Sequence, residues 1–217
     1  MPGGQTLKVA ILGTTGSGKS TLAAEIIQER DRVLVLDTMG DYDELPGAIV
    51  CEGAEECISQ LLDLQYKKHW ILVCLTLEIQ EGLDILAVGF DIPDITIVVD
   101  ECSMYCNPHF LPEEFARLIR YSRKRNIDLI FLARRPSEVH REVTAQANLL
   151  VTFIQYEPID IVYLRSRMGP KAERAKSLKQ YAILVHSDKY IMENRVPLAI
   201  LKRMEEEKDL TEEEEPE

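Results

Sequence analysis

The chain has 217 residues and a net charge of −12, and it is 46% hydrophobic, 29% charged and only 6% aromatic. That length and apolar content fit one large domain with a real core and exclude a disordered chain. No apolar run reaches the ~20 residues of a membrane-spanning helix, and no secretory leader precedes the first apolar run, so no membrane insertion and a cytoplasmic location are expected.

In chain order, Lys8–Leu12, extended by Leu7, is a short apolar run that ends at glycine and predicts a buried strand. Gly13-Thr14-Thr15-Gly16-Ser17-Gly18-Lys19-Ser20 follows, and Thr21–Arg30 reads as a helix. A G-x4-G-K-[ST] stretch between strand and helix is the context of a phosphate-binding loop, Gly13 through Thr21 forming the cradle. The glycines let successive N–H groups point inward, and the helix aims its positive end at the anion. Lys19 would reach the β and γ phosphates and Ser20 would ligate Mg²⁺.

Arg32–Leu36 is a second buried strand, Ala54–Leu64 a helix and Trp70–Leu75 a further strand. Ile95–Val99 is β-branched at every position and ends at Asp100-Glu101. A strand delivering Asp100 to the sheet edge beside the phosphate loop supplies a Mg²⁺ ligand, and Glu101 a base for the attacking water. That acid pair favours hydrolysis over a kinase. The absence of [NT]-K-x-D and L-S-G-G-Q stretches excludes GTPase and ABC-cassette patterns, leaving ATP as the expected nucleotide.

Glu113–Arg125 is a basic helix, Leu129–Leu132 a strand, Glu138–Thr144 a short helix and Leu149–Ile154 another strand; Tyr181–Asn194 reads as a hairpin around Ser187-Asp188-Lys189. Arg134 and Arg135 follow a strand and belong at the nucleotide edge, where a cation can sense the γ-phosphate. Arg123 ends the preceding helix and is placed to act as an arginine finger on a neighbouring subunit. A second basic stretch, Arg165–Lys179, carries a net +5 and, with the first, points to a polyanion such as duplex DNA; it and Ser103–Leu111 are the expected gripping loops. Residues 205–217 carry nine carboxylates against Lys208, a net −8, and read as an acidic disordered tail after a motor domain of residues 1–204. Cys102, Cys106 and His109 form C-x3-C-x2-H, three candidate zinc ligands without a fourth, so reduced thiols are the expected reading of all five cysteines.

Four blocks, GTTGSGKST (Gly13–Thr21), LDTMGDYDEL (Leu36–Leu45), IVVDE (Ile97–Glu101) and Arg117–Phe153, together resemble the HerA–FtsK superfamily of DNA-translocating ATPases. The compact chain, and Arg134-Arg135-Pro136 where relatives carry Q-R-P, resemble the small viral genome-packaging ATPases. The resemblance implies a three-layer α/β P-loop fold with a mainly parallel sheet (RecA-like, additional-strand catalytic-glutamate type), here with a C-terminal β-hairpin. It implies ATP and Mg²⁺ as ligands, double-stranded DNA as partner, and a homo-oligomeric ring, commonly hexameric, docked on a capsid or portal vertex in a host cytoplasm. It also implies Arg123 as finger and Arg134 as sensor, with Arg135 as the alternative for either task. Two other classes stay open: a nucleotide-gated assembly ATPase that does not move DNA, and a small-molecule kinase.

Overall fold

The computed structural model describes residues 6–76, 78–187 and 196–204. Eight strands form one open sheet: β1 (Lys8–Leu12), β2 (Arg32–Asp37), β3 (Ala48–Glu52), β4 (Trp70–Leu75), β5 (Thr96–Val99), β6 (Asp128–Ala133), β7 (Leu149–Thr152) and β8 (Leu184–Ser187). Their order is β3-β4-β2-β5-β6-β1-β7-β8. Every pairing is parallel except that of β8 with β7. Helices α1 (Lys19–Gln28), α2 (Gly53–Leu64), α3 (Ile79–Phe90), α4 (Glu113–Tyr121), α5 (Arg141–Gln146) and α6 (Pro158–Met168) complete the layers.

The apolar runs are strands buried on both faces, as parallel sheets require. Along β1, Ala10 and Leu12 face a core shared with α2 to α6, whereas Val9 and Ile11 face one shared with α1 and with helical residues 198–204. This is the three-layer α/β architecture expected from the sequence, including the extra strand: β6 lies between β1 and β5.

Some boundaries differ. The basic helix ends at Tyr121 and continues as a 3-10 turn over Ser122–Arg125. The expected helix Glu138–Thr144 divides into a 3-10 turn at Pro136–Glu138 and α5. The first strand of the expected hairpin is β8, but it pairs with β7; the rest of the hairpin, like the acidic tail, lies outside the described residues.

Helix α3 was not apparent in the sequence because Gly82 and Gly89 weaken its helical signal. Both glycines admit close neighbours. A Cβ on Gly89 would stand 2.7 Å from Leu34 Cδ2, and one on Gly82 would collide with the Tyr105 ring. Tyr105 is buried and stacks on Phe115, with ring centroids 6.2 Å apart, so it cannot step aside. Alanine at position 82 gains about 1 kcal/mol of helix propensity but overpacks at a cost of about 1–3 kcal/mol. Gly82→Ala is therefore expected to lower the melting temperature by a few degrees; an unchanged or higher value in a thermal melt would show that Tyr105 has room to move.

Candidate nucleotide-binding and hydrolysis site

The carboxyl edge of the sheet presents, in spatial order, the loop after β2, Asp100-Glu101 after β5, Arg134 after β6 and the glycine loop after β1. With strands about 4.8 Å apart, the inserted β6 separates β1 from β5 by roughly 10 Å. That gap has the width of a phosphate group with a hydrated cation.

The glycine loop is built to hold an anion. Gly16 (φ +76°) and Gly18 (φ +102°) are left-handed, as a side chain rarely allows. A Cβ on Gly13 would fall 2.7 Å from both Phe153 Cβ and Ser17 Oγ. Gly18 caps α1, which has no side-chain cap and no acidic residue in its first turn; α2, α3 and α4 each carry glutamate in the first turn. The first N–H groups of α1 are thus left for an external acceptor. Ser17 Oγ is buried without a hydrogen-bond partner, and Lys19 Nζ donates to Thr14 O at 3.2 Å. Burial lowers the Lys19 pKa; Glu101 and Asp100 oppose that shift, and Arg134 adds to it. These residues fit a nucleotide's phosphates.

The acidic side fits Mg²⁺. Asp100 is buried, and its Oδ1 accepts the Glu101 N–H at 2.8 Å. Burial pushes its pKa up to about 6, against the Glu101 amide hydrogen bond and the nearby Tyr42 hydroxyl, while Asp41 and Asp37 push it further up. Ser20 Oγ donates to Asp41 Oδ2 at 2.6 Å. Tyr42 Oη, buried beside Asp100 and Ser20, completes no hydrogen bond of normal geometry; burial, then the Asp100 charge, raises its pKa. Hard oxygens from Ser20 and Asp100, with Asp41 behind, match the sparse protein ligation Mg²⁺ uses beside phosphates.

The order of this wall comes from Asp37. Fully buried at the end of β2, it accepts the N–H groups of Met39 (3.0 Å), Gly40 (2.9 Å) and Tyr42 (2.9 Å). These bonds fold the loop so that Asp41 faces Ser20. Sequence reasoning used this block for the family resemblance without assigning a role to Asp37, Asp41 or Tyr42; its D-x-x-G-D-Y spacing was the available signal.

Glu101 has left-handed backbone (φ +49°, ψ +53°), unusual away from glycine and common at active sites. Its Oε1 accepts from Ser103 Oγ at 2.6 Å and its Oε2 from Arg134 Nε at 3.0 Å. Both oxygens of the expected base are therefore engaged. Ser103 was missed as a partner because only the folded turn brings it back onto Glu101.

The arginines separate. Arg134 reaches the site, half-exposed, through its pair with Glu101. Arg135 turns away: its Nε meets the fully buried Asp160 at 2.9 Å and anchors α6. Arg123 precedes β6 and lies at the amino edge near Lys8, whose pKa is lowered by burial and secondarily by the Arg123 charge. It stands a full strand length, about 15 Å, from its own glycine loop. Within the basic helix, Arg117 and Arg125 pair with Asp91, and Arg120 with Glu142. In the second basic stretch, Arg165 and Lys176 flank Glu173. Cys102 and Cys106 are buried while His109 is exposed, and no three His, Cys, Asp or Glu side chains able to hold a metal gather among the described residues.

Residues 6–214 match the family described as helicase HerA, central domain. The chain belongs to that family. It is a P-loop ATPase whose fold recurs in solved structures. The genome packaging NTPase B204 of Sulfolobus turreted icosahedral virus 2, in complex with ATP-gammaS, superposes with TM-score 0.67 at 17% identity, covering 85% of this chain and 93% of that one. B204 of Sulfolobus turreted icosahedral virus, a DNA-packaging ATPase, gives 0.63 at 19% identity, with coverage of 85% and 93%. VirB4 of Thermoanaerobacter pseudethanolicus gives 0.59 at 13%, with coverage of 89% and 91%. No curated protein sequence matches significantly. No helix among the described residues is long and apolar enough to cross a membrane.

The raised Asp100 pKa has a measurable consequence. A carboxyl with a folded pKa near 6 and an unfolded one at the ordinary 3.8 stabilises the fold only while protonated, and that contribution is lost as pH rises through 6. Asp100→Asn, which keeps the acceptor for Glu101 N–H, is expected to stabilise the protein at pH 7.5 by about 3 kcal/mol, the gain fading as pH falls towards 4. Equal melting temperatures at pH 7.5 would show that Asp100 is not desolvated.

Proposed function

We propose that the chain couples ATP hydrolysis to the movement of double-stranded DNA, as a genome-packaging motor working in a homo-oligomeric ring. The observation that carries this reading is the convergence of Lys19, Asp100, Glu101 and Arg134 on one sheet edge, in a chain of the HerA family. The glycine loop and the α1 N-terminus hold the phosphates, Lys19 neutralises the terminal pair, and Ser20 and Asp100 hold Mg²⁺. When bound, Mg²⁺ supplies positive charge against the oxygens of the transferring group. Glu101 accepts a proton from the attacking water once Arg134 is drawn from its Oε2 towards the γ-phosphate. Arg123, remote from its own loop, serves a neighbour's nucleotide, so catalysis requires the ring.

Ser103 ties Glu101 to the segment Ser103–Leu111, whose Phe110 is exposed. A shift of Glu101 therefore moves a loop at the same edge, which gives hydrolysis a route to DNA. A second reading, an assembly ATPase that does not move DNA, draws on the acid partners of Arg117, Arg120 and Arg125, since a cation already paired has less to offer a phosphate backbone.

The deciding experiment measures phosphate release against protein concentration, with and without duplex DNA. Specific activity should rise with concentration and rise again with DNA; a rate indifferent to DNA favours the assembly reading. Glu101→Gln should keep ATP binding and lose at least about 100-fold in rate, and wild-type turnover in that variant would remove the assigned base.

A further inference from the structure

Tyr181 occupies a position that its side chain makes costly. It is the third residue of a four-residue turn closed by the Ala182 N–H on Lys179 O at 3.1 Å, and its φ is +68°. Glycine or asparagine is the usual occupant of such a position, and a bulky residue there is an outlier. Packing does not account for it, because the side chain remains 54% exposed. What the turn achieves is placement. Tyr181 Cδ1 lies 3.0 Å from where a Cβ on Gly18 would stand, and Phe153 Cε1 lies 3.4 Å from the same point. Gly18 is the cap of α1, so a half-exposed aromatic ring flanks the helix end that faces the phosphates.

We infer that Tyr181 is the base platform of the nucleotide site, its open ring surface stacking on the nucleobase of a nucleoside triphosphate held by Gly13–Ser20. The inference rests on the nucleotide reading of that loop. A ligand fixed by its phosphates at Gly18 and Lys19 carries its sugar and base past this rim, and the flat phenol meets a flat base there. Stacking of this kind recognises the presence of a base more than its identity, since every base has a π-face.

Inorganic tripolyphosphate separates the two contributions because it offers the phosphates without a base. Titration calorimetry of the full chain with Mg–ATP and with Mg–tripolyphosphate would compare wild type, Tyr181→Phe and Tyr181→Gly. Glycine suits the left-handed turn, so Tyr181→Gly is expected to fold with an unchanged or higher melting temperature. It should bind ATP about tenfold more weakly, with tripolyphosphate affinity unchanged, and Tyr181→Phe should match wild type for both. Undiminished ATP affinity in Tyr181→Gly would overturn the assignment. Parallel losses for both ligands would also overturn it, by showing that the ring shapes the loop rather than meeting a base. A wild-type chain that takes up neither ligand would remove the nucleotide reading itself.

Discussion

The site depends on the insertion of β6 between the strand that feeds the glycine loop and the strand that feeds the acid pair. Adjacent strands would bring Lys19 and Asp100 into direct contact, with room for an ion pair and nothing else. One intervening strand opens a slot about 10 Å wide, and the same strand delivers Arg134 into its floor. Lys19, Asp100, Glu101 and Arg134 are arranged around that spacing. The buried Asp37 keeps one wall in shape through three backbone N–H groups, and the uncapped α1 supplies the opposite pole.

The slot is held against local preference. Glu101 adopts a left-handed backbone, Asp100 is a carboxyl pushed up by burial, and Tyr42 carries a buried hydroxyl without a normal partner. Strain and unmet polar groups of this kind collect where a fold serves a ligand. The Arg134–Glu101–Ser103 arrangement gives the same conclusion a mechanical form. In the proposed mechanism a base with both oxygens engaged is a poor proton acceptor, so water in the slot would not be activated until an anion competed for Arg134. On that proposal the contact would restrain turnover before the substrate is in place, and Ser103 would link its release to the following loop.

Much of this was legible in the sequence because each signal had a local cause. The glycine loop, the β-branched run before Asp100-Glu101 and the alternation of strands with helices are written in contiguous residues. What stayed hidden depends on contacts between distant segments. Helix α3 is obscured by glycines whose purpose, closeness to Tyr105 and Leu34, exists only in the folded state. Helix α6 begins at a proline, and β3 is a half-exposed edge strand with a weak apolar pattern. Arg134 and Arg135 are adjacent and chemically identical; only the positions of Glu101 and Asp160 tell them apart. Tyr181 offers no motif at all, since its proximity to Gly18 spans most of the chain.

The proposed mechanism has a triphosphate's terminal group cleaved in the slot between Lys19 and the Asp100-Glu101 pair. A crystal structure of the chain with Mg²⁺ and ATP-gammaS tests it most directly. That mechanism requires the cation to contact Ser20 and approach Asp100, with Arg134 turned from Glu101 towards the terminal phosphate. A nucleotide bound elsewhere, or a terminal phosphate in place with Glu101 still locked to Arg134 and out of reach of any attacking water, would contradict it.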